Sequence, residues 1–158
     1  MVDSLDQAAR SAVMARVRGK NTRPEMIVRK LVFAAGYRYR LHVRKLPGSP
    51  DLVFPSRKMV IFVHGCFWHR HDNCAASRMP KSRVDFWSGK FTGNKARDER
   101  NREGLTAAGW QVFVIWECEL DDLTMLEDRL RIFLGPPGPR ANTAEGDRPD
   151  LSPTTVTC

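Results

Sequence analysis

The stretch "MVIFVHGCFWHRHDNC" (residues 59–74) joins an apolar run to a cluster of histidines, cysteines and aromatic residues. Its first five residues are all apolar, which is typical of a β-strand covered on both faces. A second run of this kind, "QVFVIW" (residues 111–116), follows later in the chain. Two such strands predict a sheet that lies between layers of helices.

Weaker signals surround these two strands. "YRYRLHV" (37–43) alternates like a half-exposed strand, "LPGSP" (46–50) predicts a turn, and "DLVF" (51–54) restarts a strand. Helical patterns are predicted over 3–19, over 22–36, within 85–103 at least from Asn94, and from after Leu120 to about Leu134. The order helix, helix, three strands, helix, strand, helix predicts an α/β fold in which helices flank a mixed sheet.

The helix over 22–36 has well-defined end signals. Thr22 and Glu25 have the spacing of a capping box, Pro24 lies in the first turn, and Gly36 ends the pattern. Glu25 therefore has a structural explanation to set against a catalytic one. We expect the side of this helix that faces the core to consist of Ile27, Leu31 and Ala34 or Ala35.

The charge of the chain is unevenly distributed. Residues 1–50 hold 11 Lys and Arg against 3 Asp and Glu, residues 51–100 hold 10 against 5, and the remainder holds 5 against 10. A positive field over the first hundred residues attracts phosphate polymers and favours a nucleic-acid partner. The alternative is a surface whose charge serves only solubility.

At 158 residues the chain is long enough for one domain with a substantial core. We expect an arm over 1–20 that orders against DNA, a core domain over 21–134 and a disordered tail over 135–158, where Pro, Gly, Ser and Thr dominate. The arm could equally be a helix docked on the core. Neither a membrane span nor a signal peptide is recognisable, so we expect a cytoplasmic protein, in which cysteines more often bind metal than form disulfides.

The cysteines and one histidine have the composition of a zinc site. Cys66, His71 and Cys74 are spaced C-x4-H-x2-C, and Cys118 follows the strand "QVFVIW". If that strand neighbours "MVIFV", Cys118 can supply the fourth ligand of a closed, structural Cys3His site. The alternative is a set of buried thiols beside a solvent-exposed histidine.

His64 and His69 are then free for chemistry, because an imidazole can accept or donate a proton near neutral pH. Asp51 begins the strand that precedes "MVIFVH", so its carboxylate is expected to face the end of that strand, where His64 lies. Such a carboxylate can hold Mg²⁺. The alternatives are a turn aspartate and histidines that only support the zinc site; we assign no role to His42.

Four motifs, "RSAVMARVRGKNTRPE", "LPGSPDLVF", "VIFVHGCFWHRHDNC" and "GWQVFVIWEC", occur in this order over roughly residues 8–134. Together they resemble the very short patch repair (Vsr) endonuclease family. The resemblance implies a restriction-endonuclease-like core and a strand-specific DNA nickase. Such an enzyme cuts 5′ of the mispaired thymine in T:G mismatches, which arise when 5-methylcytosine deaminates. Double-stranded DNA with a T:G mismatch is then the substrate, and we expect the enzyme to be a monomer.

The resemblance also implies roles for individual residues. Asp51 matches the family's magnesium ligand, with the backbone carbonyl of Val63 as its companion, since valine stands where some members have threonine. His69 is implied as the general base, with Asp98 orienting it. His64 and Glu25 are implied as supports of the phosphate and of metal-bound water. The carboxylate-x-lysine pair of ordinary restriction enzymes is missing from "MVIFVHG".

By the same resemblance Cys66, His71, Cys74 and Cys118 are the zinc ligands, although spacing leaves the choice between His69 and His71 open. Phe67, Trp68 and Trp87 correspond to rings that wedge between base pairs as exposed aromatics; without the resemblance, core packing is the simpler interpretation. The arm would contact DNA through Arg10, Met14 and Arg16. Two other functions remain open: a zinc-stabilised DNA-binding module without catalysis, and a related nuclease for another DNA structure.

Overall fold

The computed structural model describes residues 8–9 and 19–138. Over 19–138 the elements are α1 (Arg23–Ala34), β1 (Arg40–Leu41), β2 (Leu52–Phe54), β3 (Met59–His64), α2 (Val84–Ala107), β4 (Gln111–Trp116) and α3 (Leu123–Leu134), with short 3₁₀ helices at Pro55–Arg57, Ala75–Ser77 and Glu117–Asp121. This order confirms the predicted mixed α/β class. Most of the expected arm and of the expected tail lies outside the described residues. Among the described residues, no helix has both the length and the apolar character needed to span a membrane.

The four strands form one mixed sheet in the order β1-β2-β3-β4. β1, β2 and β3 are paired antiparallel, whereas β3 and β4 run parallel, with His64 opposite Trp116 at their carboxyl ends. A parallel pair needs a long crossover, and the segment that contains α2 provides it. The loops that follow β3 and β4 therefore begin at the same edge of the sheet.

The sheet is covered by helices on both faces. Alternate residues of β2 and β3 point to opposite faces, as the pleat of a strand requires. One face packs against α1 and α3 through Leu52, Phe54, Ile61 and Ile115, and the other packs against α2 through Val53, Val60 and Leu105. β4 is an edge strand, in which only Ile115 is fully buried. Phe113 packs against one core and Val112 against the other, so β4 is covered in part on both faces.

The end signals of α1 are confirmed, and its predicted core face is confirmed in part. The Thr22 side chain accepts a hydrogen bond from the Glu25 backbone N–H, and the Glu25 carboxylate accepts one from the backbone N–H of Asn21. Leu31 and Ala35 are partly buried and pack against the core, whereas Ile27 is only half-buried and Ala34 is exposed. The buried residues are instead Glu25, Val28, Arg29 and Val32, because this side of the helix also borders a polar cleft.

Two further boundaries differ from the prediction. The strand expected over 37–43 is limited to Arg40–Leu41, because His42 has a φ of 45°, which an extended strand does not allow. α2 begins at Val84, ten residues before Asn94, since aromatic residues in its first turns pack on the loop after β3. Both differences result from tertiary contacts around the loop after β3 and the cleft.

The turn that leads into β2 depends on Gly48. Its φ of 73° lies in the left-handed region, and a Cβ built there would be 2.8 Å from Nδ2 of Asn101 on α2. A side chain at this position is strained even if Asn101 turns aside. Because the turn delivers Pro50 and Asp51 to the cleft, the conformation of Gly48 also positions Asp51.

We expect Gly48→Ala to destabilise the protein by about 1–3 kcal/mol, the usual strain of a side chain held in this backbone region. Gly93→Ala is the matched control, because a Cβ at Gly93 in α2 meets nothing within 4 Å. Because Gly93 is exposed in a helix, Gly93→Ala is expected to increase the free energy of unfolding by roughly 0.5–1 kcal/mol. Urea unfolding of both variants measures the difference, and equal effects would contradict the requirement for glycine at position 48.

Candidate active site and metal centre

Asp51 lies at the start of β2, and its carboxylate faces the carboxyl end of β3. Oδ2 accepts a hydrogen bond of 2.7 Å from the backbone N–H of Val63. Burial raises the pKa of Asp51 to about 6, against the lowering effect of the Val63 hydrogen bond. The fold therefore places a half-buried carboxylate, with one oxygen anchored, beside the backbone of Val63.

His64 and His69 form a stacked pair next to this carboxylate. Their ring centroids are 3.8 Å apart and the rings are nearly parallel, at 6°. Burial, followed by the neighbouring His69, lowers the pKa of His64 to about 4, so its imidazole is neutral at pH 7. The stack thus places an uncharged imidazole in the cleft that Asp51 also lines.

His69 is oriented by Asp98 from α2. His69 Nδ1 lies 2.5 Å from Asp98 Oδ2, which leaves Nε2 for a second partner. Burial acts against the charge of Asp98, but the hydrogen bond and the charge of His69 outweigh it and lower the pKa of Asp98 overall. A histidine held by a carboxylate in this way is suited to accept a proton from water.

For the DNA-nicking activity that the sequence resemblance implies, we expect Asp98→Asn to reduce the rate by about 10²–10⁴-fold, the usual contribution of an oriented general base. The amide keeps the size of the side chain but loses the charge that stabilises protonated His69. Asp72→Asn is the matched control, because Asp72 is exposed and its ion pair with Lys95 is also on the surface. Single-turnover rates measure both variants, and a normal rate for Asp98→Asn would exclude the orienting role.

Asp51 and the two histidines open onto one cleft of about 570 Å³. Glu25, His42, Trp68 and Asp98 also line it. No packed layer of protein separates Asp51 from the histidines, since all three side chains border the same space. The sequence prediction that brings these three residues together therefore agrees with the geometry.

His42 is the residue of this cleft that sequence analysis missed. His42 directly follows β1 and Asp51 directly precedes β2, so the pairing of Leu41 with Leu52 brings the two side chains near each other, with Nδ1 3.9 Å from Oδ1. Burial lowers the pKa of His42, although Glu25 acts in the opposite direction. The turn signal in residues 46–50 could have indicated this pairing, because a hairpin sets its own register.

Glu25 borders the cleft, but its oxygens already have partners. Oε2 accepts hydrogen bonds from the Asn21 backbone N–H and from Arg29, and Thr22 donates to Oε1 at 3.2 Å. The side chain is 5 % exposed. These contacts agree with the capping interpretation and leave Glu25 little free capacity.

Cys66, His71, Cys74 and Cys118 lie together beyond the carboxyl ends of β3 and β4, with their ligand atoms within 4.8 Å of one another. His71 Nδ1 is 3.7 Å from Cys66 Sγ and 3.3 Å from Cys118 Sγ. Zinc bonds at a tetrahedral angle separate nitrogen from sulfur by about 3.6 Å. The donor set and its spacing thus fit zinc.

This geometry also distinguishes the two histidines of the loop. His71 Nδ1 faces the thiols, and its ring stacks on Trp116 at 4.3 Å between centroids, whereas His69 Nδ1 binds Asp98. Burial and the neighbouring Cys66 thiol raise the pKa of Cys118 to about 12. Clustered thiols resist losing their protons together, and a bound dication removes that resistance.

The aromatic residues of the loop pack against α2. Phe67 lies 5.1 Å from Trp68 and 5.4 Å from Trp87, between ring centroids. Trp87 is only 6 % exposed, so the expectation of three exposed rings is wrong for this residue. Phe67 and Trp68 are half-buried, and Asn94 Nδ2 donates a hydrogen bond of 2.9 Å to the Trp68 carbonyl. Arg10, Met14 and Arg16 lie outside the described residues.

An oriented histidine and a half-buried carboxylate border one cleft, and the Cys/His cluster lies on the same loop as the histidine. Together they define a candidate hydrolytic site. The model of the family described as DNA mismatch endonuclease Vsr matches residues 2–75. A type II nicking enzyme of Xanthomonas oryzae, V.XorIIP, is 55 % identical over 136 residues, which cover 86 % of this chain and 99 % of that relative.

Two further relatives agree with this match. V.NmeAIP, a type II nicking enzyme of Neisseria meningitidis, is 42 % identical over 82 % of this chain and 92 % of its own length. The DNA mismatch endonuclease Vsr of Escherichia coli is 38 % identical over 81 % of each chain. The chain therefore belongs to the Vsr family of DNA endonucleases.

Proposed function

We propose that this protein is a strand-specific, Mg²⁺-dependent DNA endonuclease that nicks 5′ of the mispaired thymine in T:G mismatches and so initiates very short patch repair. The observation that carries the proposal is the convergence of Asp51, His64 and His69 on one cleft next to the Cys/His cluster. The names of the E. coli and Xanthomonas relatives support mismatch recognition and nicking. The mixed sheet between helices supports a restriction-endonuclease-like core.

Asp51 and Val63 are the residues that would hold Mg²⁺. Because Asp51 Oδ2 is engaged by the Val63 N–H, Oδ1 is the oxygen left for the ion. The backbone carbonyl of Val63 would be the second protein ligand, with DNA phosphate oxygens and water completing the set. When bound, Mg²⁺ polarises the scissile phosphate and offsets the charge that develops there.

The two histidines would act on the attacking water and on the scissile phosphate. His69, held by Asp98, takes the proton from the attacking water through Nε2. His64, kept neutral by burial, supports the phosphate from the adjacent ring. Glu25 contributes through the cap that fixes α1 at the edge of the cleft, and its role toward metal-bound water is secondary.

The Cys/His cluster would hold a structural zinc ion. Four protein ligands leave no position for substrate, so such a site serves to fix the loop after β3 to the segment after β4. That loop carries Phe67, Trp68 and His69. A rigid loop keeps the proposed general base and the proposed DNA-contacting rings in a constant relation.

Phe67, Trp68 and Trp87 would enter the duplex at the mismatch, where stacking is already weak. For Trp87 this requires leaving its packing against Phe67 and Phe91. The arm with Arg10, Met14 and Arg16 would clamp the duplex, and the positive charge of residues 1–100 favours its approach. A monomer suffices for a single nick.

The test is a nicking assay with end-labelled duplexes that differ only in one T:G or T:A pair. We expect Mg²⁺-dependent cutting of the thymine strand of the T:G duplex, on the 5′ side of the mispaired base. Equal cutting of both duplexes would refute mismatch selectivity. Tight binding without cutting would favour a DNA-binding module, and cutting only of other DNA structures would favour a related nuclease.

A further inference from the structure

His42 occupies a defined position behind the candidate catalytic carboxylate. It follows β1 directly, with Nδ1 3.9 Å from Asp51 Oδ1, and its backbone has a φ of 45°. Its side chain is 15 % exposed. A non-glycine residue held in this conformation and partly buried next to Asp51 is constrained by its surroundings.

The contacts of His42 determine which ring nitrogen carries a proton. Nε2 lies 3.0 Å from a guanidinium nitrogen of Arg29. A guanidinium can only donate hydrogen bonds, so Nε2 must be the acceptor. The neutral ring then carries its hydrogen on Nδ1, and this N–H group faces Asp51 Oδ1 at 3.9 Å.

Arg29 is itself fixed in position. Its guanidinium pairs with Glu25 at 3.1 Å, and the residue is 8 % exposed. Tyr39 donates a hydrogen bond to its backbone carbonyl. Because Arg29 on α1 is fixed, it fixes the orientation of the His42 ring through Nε2. The ring in turn faces Asp51 Oδ1 through Nδ1.

We propose that His42 is a positioning residue for the reaction, which aims its Nδ1–H at Asp51 Oδ1 and so orients that oxygen for a divalent cation. The proposal rests on the function proposed above, in which Asp51 binds the catalytic ion. The separation of 3.9 Å is longer than a direct hydrogen bond, so a small rotation of the carboxylate completes the contact when Oδ1 takes its working position. Groups that hold a metal ligand from behind commonly change metal affinity by about 10–100-fold.

The same contacts argue against His42 as a metal ligand. Coordination through Nδ1 would require the hydrogen to be on Nε2, where it would point at the Arg29 guanidinium. Two donors would then face each other in a buried place, which is unfavourable. Glu25, His42 and Asp51 lie close enough to hold an ion together, but the engaged oxygens of Glu25 and the orientation of His42 favour the positioning role.

The experiment uses the full-length, zinc-loaded protein and Mn²⁺ as a spectroscopic substitute for Mg²⁺. Electron paramagnetic resonance gives the dissociation constant of Mn²⁺ for the wild type, Asp51→Ala, His42→Ala and His42→Gln. We expect His42→Ala to weaken binding by about tenfold or more. His42→Gln should stay close to the wild type, because its amide can accept from Arg29 and donate toward Asp51.

Several outcomes would overturn the proposal. If His42→Ala lowers the thermal unfolding midpoint but leaves Mn²⁺ affinity unchanged, the residue is only structural. If saturating Mn²⁺ shows a directly bound imidazole nitrogen in the wild type that is lost in His42→Ala, the residue is a ligand. If Asp51→Ala binds Mn²⁺ as well as the wild type, the proposed metal site fails and this inference fails with it; normal affinity in His42→Ala alone refutes only the inference.

Discussion

Asp51→Ala is expected to abolish nicking of T:G duplexes, with a loss of at least about 10³-fold, while binding of the mismatched duplex persists. The magnitude follows from losing several kcal/mol of charge stabilisation when the catalytic cation loses its side-chain ligand. Single-turnover nicking and a gel-shift titration separate the two effects. Asp128→Ala is the matched control, because Asp128 is exposed on α3, away from the cleft. Residual nicking near the wild-type rate would refute the role of Asp51 in metal binding.

Replacing Asp51 should also change stability, and here we expect a gain and not a loss. In the folded protein the pKa of Asp51 is raised to about 6, so its ionised form is disfavoured relative to the unfolded chain. A raised carboxyl pKa destabilises the fold as pH increases through the window between the unfolded value and about 6. Asp51→Asn, without added divalent cations, should therefore stabilise the protein at pH 7 by as much as about 3 kcal/mol. The gain should shrink at pH 5, and urea unfolding at both pH values measures it.

Cys118→Ser is expected to have the largest effect on stability. Losing one thiolate of a closed four-ligand site should release the zinc ion and destabilise the fold by at least about 3 kcal/mol, since binding of a structural metal contributes directly to folding. Cys158→Ser is the control and should retain zinc, because Cys158 is not one of the proposed ligands. It is the fourth cysteine of the chain and lies outside the described residues. Elemental analysis and thermal unfolding measure both variants.

Two results would contradict the structural assignment of zinc. One is a Cys118→Ser protein that keeps one zinc ion per chain, which would mean that other ligands hold it. The other is wild-type protein that is free of zinc and yet unfolds at its normal temperature. Chelation of the wild type should reproduce the loss of stability in Cys118→Ser.

Features of the fold that depend on neighbouring residues were predictable from sequence. The cap of α1 was correctly placed because Thr22 and Glu25 are three residues apart and bond to each other. The β3 and β4 strands were visible as apolar runs, and their parallel pairing brings Cys118 to Cys66 as expected. In these cases one local signal or one correct pairing is sufficient.

Features that depend on what lies across the cleft were not predictable. The buried side of α1 includes Glu25 and Arg29, so a search for apolar periodicity found Leu31 and Ala35 but missed these two charged residues. No sequence motif marks His42, and its possible role is visible only from its position beside Asp51 in the structure. Trp87 is buried because Phe67 and Phe91 cover it, a contact between a loop and a helix that a linear pattern does not reveal.

The parallel pairing of β3 with β4 also has a consequence for the order in which the chain acquires its structure. Three of the four residues of the Cys/His cluster lie within the short segment 66–74. Cys118 joins them only after β4 has paired with β3, across a long intervening segment. Closing such a loop is entropically unfavourable and slows folding. A metal ion already bound by these three residues would gain Cys118 as a ligand when β4 pairs with β3. This additional bond would slow the dissociation of β4 from the sheet. Zinc supplied before refolding should therefore accelerate the final assembly of the sheet, whereas zinc supplied afterwards should not.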